Sequence, residues 1–167
     1  VVRECGGVPL LLGLAPDQFS ELRAKCQQAL DEADICLISG GSSVGSRDLT
    51  LDVLTSFDHS EVLVHGVAIS PGKPTILVKT GEKGFWGLPG HVASAMVVFQ
   101  VLVRPFMSYL GGTDLTLGEW RPIQARLSRN IASKQGREDF VRVRLRQEDS
   151  GLTADPIFGE SALISTL

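Results

Sequence analysis

The chain has 167 residues, 43% of them hydrophobic and 21% charged, with 18 Gly and 8 Pro; this is ordinary globular composition and argues against a disordered or fibrous protein. Sixteen basic residues against nineteen acidic ones give a formal charge of -3, with no basic stripe able to track a phosphate backbone, so nucleic acid is excluded as the main partner. A chain of this length buries roughly 70% of its unfolded surface, enough for a core without staples, and the odd, widely spaced Cys5, Cys26 and Cys36 fit a reducing, cytoplasmic compartment.

The opening Val1-Val2-Arg3-Glu4-Cys5-Gly6-Gly7 has no initiator methionine and reads as the last turn of a helix, as expected of a piece of something longer. Val8 to Leu12 reads as a strand, and Asp17 as the N-cap of a helix whose apolar positions Phe19, Leu22, Cys26, Ala29 and Leu30 recur at helical spacing. Ile35 to Ile38 is continuously apolar, the pattern of a strand covered on both faces in a parallel sheet. A helix is predicted from Leu49 to Ser56, strands at Glu61 to Val64, Thr75 to Val78 and Phe85 to Leu88, and a long helix from about Val92 to Leu110, kinked at Pro105. Its apolar stretch, Val92 to Val103, is too short for a bilayer span of ~20 residues and is read as buried, so no membrane partner is expected.

At Gly111-Gly112-Thr113 the texture changes. Short β-like runs at Ile123 to Leu127, Phe140 to Leu145 and Leu152 to Ala154 replace the strand and helix alternation. The expected organisation is an α/β domain over residues 1–112, a mostly parallel sheet flanked by helices, followed by the start of a small β-rich unit over 113–167.

Three glycine- and proline-rich loops carry the chemistry. In Ser39-Gly40-Gly41-Ser42-Ser43-Val44-Gly45-Ser46-Arg47-Asp48, glycines and hydroxyls between a buried strand and a helix suit an anion such as phosphate. The spacing is neither a Walker A loop nor a dinucleotide fingerprint, and a plain strand-to-helix turn capped by Asp48 is an equal reading. In Ser70-Pro71-Gly72-Lys73-Pro74 two prolines hold Lys73 in a turn, ready for an oxyanion or simply solvated. Gly87-Leu88-Pro89-Gly90-His91 again joins a strand to a helix and reaches the same ligand if both strands share a sheet edge; His91 reads first as a capping or packing residue. Arg137 stands before a strand beside Glu138 and Asp139, where a surface ion pair is the simpler reading.

Taken in order, these loops with Ser94-Ala95, Arg104-Pro105, Gly136-Arg137 and Gly159-Glu160-Ser161 closely resemble the molybdopterin molybdenumtransferase family, which includes the E domain of gephyrin. The resemblance runs over essentially the whole chain. It implies insertion of molybdate into adenylylated molybdopterin, with Mg²⁺-dependent cleavage of the adenylate and release of AMP. By motif position, Gly40, Gly41, Ser42, Ser43, Gly45, Pro89 and Gly90 would bind the pterin and its phosphate, and Asp48 would be the catalytic carboxylate that holds Mg²⁺. Lys73, Pro74, Arg137 and Ser161 would cradle molybdate, Lys73 also counting as catalytic.

The resemblance further implies a homodimer in the full-length protein, with molybdopterin adenylyltransferase as a possible partner, and a pterin domain that lacks its first strand here. The isolated chain is accordingly expected to be inactive. The family commonly has a second lysine where this chain has Ser70, Asn-Pro where it has His91-Val92, and often an acid where it has Ser46. These departures keep a second reading open: a non-catalytic pterin-binding or scaffold module of the same fold.

Overall fold

A computed structural model of the chain describes residues 1–40, 49–112, 122–149 and 151–157. Helix α1 (Phe19–Glu32) buries Leu22, Cys26 and Leu30, one residue per turn on a single face. Its N-cap is Gln18, in extended conformation and without a side-chain bond. The predicted cap Asp17 is therefore not used: the Gln18 N–H turns back to the Pro16 carbonyl at 2.8 Å, so a backbone turn starts the helix. At the far end Lys83 donates its ammonium to the Leu30 carbonyl, the sign of charge that a helix C-terminus favours.

Strand β1 (Ile35–Ser39), helix α2 (Leu49–Leu54), and strands β2 (Ser60–His65), β3 (Ile69–Ser70), β4 (Ile76–Thr80) and β5 (Lys83–Leu88) follow. Four of the strands form one sheet in the order β1-β5-β4-β2. The α/β class expected from the sequence holds, but the described sheet is not mostly parallel: β1 and β5 run parallel, whereas β4 pairs antiparallel with both β5 and β2. The reason is chain length. Only Gly81 and Glu82 separate β4 from β5, and so short a link permits a hairpin and no crossover.

The two faces of the sheet are both covered. Cys36, Ile76, Val78 and Phe85 pack with α1, with Val53 and Leu54 of α2, and with Phe57 just beyond it. Trp86 and Leu88 point the other way, onto the helical run that follows the sheet. This run comprises α3 (Val92–Val98), a π turn (Phe99–Val103) and α4 (Arg104–Leu110). The irregularity expected at Pro105 sits one turn earlier: the Arg104 N–H reaches back to the Phe99 carbonyl, a wider turn that accommodates a proline with no N–H to give. The whole run, Val92–Leu110, is 19 residues long and apolar enough to cross a membrane by length and composition, longer than the stretch weighed from sequence. Here Val98 and Val103 are fully buried and Phe99 nearly so, packed with Trp86 and Leu88.

Val8 to Leu12, predicted as a strand, forms no ladder; Leu11 and Leu14 are 92% and 96% exposed. No described strand pairs with this stretch, and a groove of about 670 Å³ lies between it, α1 and the free edge of β1.

Beyond the helices, β6 (Arg126–Leu127), β7 (Glu138–Asp139), β8 (Val143–Glu148) and β9 (Gly151–Pro156) are short. A three-stranded sheet is ordered β6-β9-β8, and β7 pairs parallel with β3 instead. The Leu152 to Ala154 run lies inside β9, while only the end of the Ile123 to Leu127 run is laddered.

Candidate functional site

The parallel register of β1 and β5 sets Ser39 beside Leu88, so both strands end on the same edge of the sheet. The glycines that follow meet there. Gly40 has φ +93°, a conformation that favours glycine, and its N–H donates to the Leu88 carbonyl at 3.3 Å. A Cβ on Gly90 would stand 3.4 Å from the Gly40 Cα, in van der Waals contact, so the two loops lie side by side. Pro89, between Leu88 and Gly90, is buried, and Gly90 and His91 are exposed.

β4 begins at that edge, since Ile76 pairs with Gly87, and Lys73-Pro74 precedes it with only Thr75 between. This loop is held by its backbone. The Lys73 carbonyl accepts from the Val67 N–H at 2.9 Å, and the Thr75 carbonyl from Gly66 at 2.8 Å. The buried Thr75 hydroxyl donates to the Gly72 carbonyl at 2.7 Å. Gly72 has φ +123°, and a Cβ there would lie 2.7 Å from both Ile69 Cδ1 and Val98 Cγ2, so only glycine fits. The Ser70-Pro71 bond is cis. Lys73 itself is exposed, a cation at the surface on a turn held by its backbone.

The second cation arrives from far along the chain. Ile69 and Ser70 pair with Glu138 and Asp139, the Glu138 N–H donating to Ala68 and the Phe140 N–H to the Ser70 carbonyl, each at 2.8 Å. Arg137 therefore stands next to the segment that leads into Lys73. Its guanidinium is paired with Asp139 at 2.9 Å, the ion pair anticipated as its simpler role. The same carboxylate accepts from the Ser133 hydroxyl at 2.6 Å and from Ser70. Ser133 first, then Arg137 and Ser70, hold the Asp139 carboxyl below the usual carboxylate range against a desolvation that pushes it up. Ser133 was not singled out from sequence, and no local pattern marks it: its link to Asp139 exists only through the loop between them.

Gly40, Pro89, Gly90, Lys73 and Pro74 thus belong to one edge of the sheet, and Arg137 is tied to it through β3 and β7. Gly41, Ser42, Ser43, Gly45, Asp48 and Ser161 lie outside the described residues. Among the described residues no group of three or more His, Cys, Asp or Glu could hold a metal ion; Asp48, the carboxylate expected to hold Mg²⁺, lies outside them.

The fold and its loops define a class: a three-layer α/β domain with glycine turns at one sheet edge, joined to a small β domain. Residues 1–109 match the family model described as probable molybdopterin binding domain, and residues 124–167 match the MoeA C-terminal region, domain IV. The chain belongs to this molybdopterin-binding family. It is 37% identical over 134 residues to a molybdopterin molybdenumtransferase of Haemophilus influenzae, covering 78% of this chain and 32% of the relative. A molybdopterin molybdenumtransferase of Nostoc is 31% identical over 146 residues, covering 84% and 33%. Among solved structures, a molybdopterin biosynthesis MoeA protein from Pyrococcus horikosii superposes with a TM-score of 0.81 at 34% identity, over 99% of this chain and 38% of that one. The chain spans about a third of the length of these curated relatives.

Proposed function

We propose that the protein to which this chain belongs acts in molybdenum cofactor biosynthesis in the cytoplasm, inserting molybdate into adenylylated molybdopterin with release of AMP. The observation that carries the reading is the β3–β7 pairing, which brings the segment leading into the Lys73-Pro74 turn, in one matched region, beside the strand that Arg137 immediately precedes, in the other. A doubly negative oxyanion suits one ammonium and one guanidinium, the second offering a planar fork of donors.

In this reading Gly40 and Gly90 admit the pterin phosphate against bare backbone. Lys73 attracts the incoming oxyanion and Pro74 keeps the turn from relaxing. Arg137 exchanges part of its pairing with Asp139 for the anion. Ser161 completes the cradle. Mg²⁺, assigned with Asp48, would neutralise charge on the leaving AMP; no step of the described residues depends on it. The whole protein would work as a homodimer receiving its substrate from an adenylyltransferase, and the isolated chain would be inactive.

The test supplies the full-length protein with adenylylated molybdopterin, Mg²⁺ and molybdate and follows AMP. Lys73→Ala should raise the molybdate requirement about tenfold, the loss of one charge-assisted contact, with pterin binding little changed; equal losses for both ligands would reject the assignment. The second reading, a non-catalytic pterin-binding or scaffold module, is favoured by Asp139 already occupying Arg137 and by Ser70 at the position of a family lysine. It expects pterin binding and no AMP at any molybdate concentration.

A further inference from the structure

Arg137 is one of the cations assigned to the oxyanion, and its own place in the fold is fixed by groups outside that cradle. It follows a turn at Gln135-Gly136, where Gly136 has φ +83°; this left-handed residue folds the chain back so that Ser133 meets Asp139 across the loop. The Ser133 hydroxyl donates to Asp139 Oδ2 at 2.6 Å, while Arg137 Nη2 stands 2.9 Å from Asp139 Oδ1. Each carboxylate oxygen is thus engaged by a different residue. A carboxylate held at one oxygen still turns about its Cβ–Cγ bond, a broad torsion. Held at both, it keeps one plane, and the direction of its ion pair is set with it.

The backbone beneath the carboxylate is clamped as well. Asp139 is the register partner of Ser70, which puts the two side chains on one face of the β3–β7 ladder, and Ser70 is a third donor to the carboxylate. On either side of Asp139, the Glu138 N–H donates to Ala68 and the Phe140 N–H to Ser70, each at 2.8 Å. Asp139 is the sheltered member of the pair and Arg137 the outward one. An unpartnered arginine gives up its rotamer freedom when it takes hold of an anion; one already aimed by a fixed carboxylate has given up part of it on folding.

We propose that Asp139 is a positioning residue for Arg137, and that Ser133, by fixing Oδ2, sets the direction in which the guanidinium meets the oxyanion. Both act through Arg137 without touching the anion. The inference rests on the molybdate reading and adds to it two residues that the cradle does not contain.

The test uses the full-length protein and two independent measurements. Modification of Arg137 by phenylglyoxal, followed by peptide mass spectrometry, reports its pairing without any turnover. Ser133→Ala should speed this about threefold, the scale of one part-exposed ion pair, and Ser133→Thr, which keeps the hydroxyl, should return it to the parent rate. Molybdate dependence of AMP release is the second measurement. Ser133→Ala should raise the molybdate requirement about fivefold with a smaller change in the maximal rate, Ser133→Thr should restore it, and Asp139→Asn should match or exceed the effect of Ser133→Ala. Ser133 is exposed, so its replacement should leave the fold intact, which circular dichroism checks. A modification rate unmoved by Ser133→Ala, or a molybdate requirement unmoved by Ser133→Ala and Asp139→Asn where Arg137→Gln raises it, would overturn the positioning role and leave the molybdate reading standing. A requirement that Arg137→Gln itself does not raise, or no AMP release from the parent, would overturn both.

Discussion

Arg137 and Asp139 form an ion pair at 2.9 Å on either side of Glu138, and Asp139 is 13% exposed while Arg137 is 36% exposed. The carboxylate is thus the sheltered partner, held by Ser133 as well, and the guanidinium is the one that faces outward. An incoming anion meets the arginine first. Under the proposed function, Arg137→Gln should raise the molybdate requirement of the full-length protein about tenfold, without loss of pterin binding. Molybdate dependence of AMP release checks this, and an unchanged requirement would assign Arg137 to the ion pair alone.

The pH dependence follows from two carboxylates. Asp139, held down chiefly by Ser133, and Asp155, held down chiefly by Ser128 with help from Arg146, both sit below their ordinary range in the folded state. A depressed folded value adds stability above the unfolded value of about 3.9, and that stability is lost as pH falls through the folded value. Urea midpoints should therefore be flat near neutrality and decline below about pH 4. Asp139→Asn should make the decline shallower; an identical decline in this variant would show that Asp139 contributes none of it.

Gly72→Ala should destabilise by about 3 kcal/mol, because positive-φ strain adds to the collision of the new methyl with Ile69 and Val98. Gly81→Ala is the control. Its φ is +58° with nothing within 4 Å of a Cβ, so conformational strain acts alone and the cost should be about 1 kcal/mol. Denaturant unfolding of the two variants measures both; similar losses would show that the Ile69 and Val98 contacts yield freely.

Cys26 and Cys36 are buried in the face of the sheet covered by α1. Burial pushes each thiol up to about 11, with mutual repulsion adding to the rise at Cys26 and the Lys83 ammonium opposing it at Cys36. A disulfide-exchange reagent at pH 8 should modify the half-buried Cys5 first and reach the other two only on unfolding. Because the unfolded thiols ionise before the folded ones, stability should fall as pH rises from 9.0 toward about 11. Rapid labelling of all three thiols in the native state would contradict both expectations.

Much of this was legible in local pattern. The spacing of Leu22, Cys26 and Leu30 announces a helix with one buried face, and it is one. The apolar run Ile35 to Ile38 announces β1, and the glycine turns after Ser39 and Leu88 announce strand ends that could share an edge. Such signals work because helix periodicity, strand alternation and the steric freedom of glycine act over a few residues. Val8 to Leu12 shows the limit. Its residues have strand character, but a strand needs a neighbour to take its N–H and C=O groups, and none of the described strands pairs with it.

Direction and distance were decided elsewhere. Whether β4 runs parallel or antiparallel depended on a two-residue link closing as a hairpin. That Arg137 stands near Ser70 depended on β7 pairing with β3 and with none of β6, β8 and β9, and that Arg144 stands opposite Asp155 depended on β8 and β9 pairing edge to edge in one register. Composition and spacing set which residues can turn, hide or carry charge. Backbone groups far apart in the chain, each requiring a partner once dehydrated, settled which of those residues became neighbours.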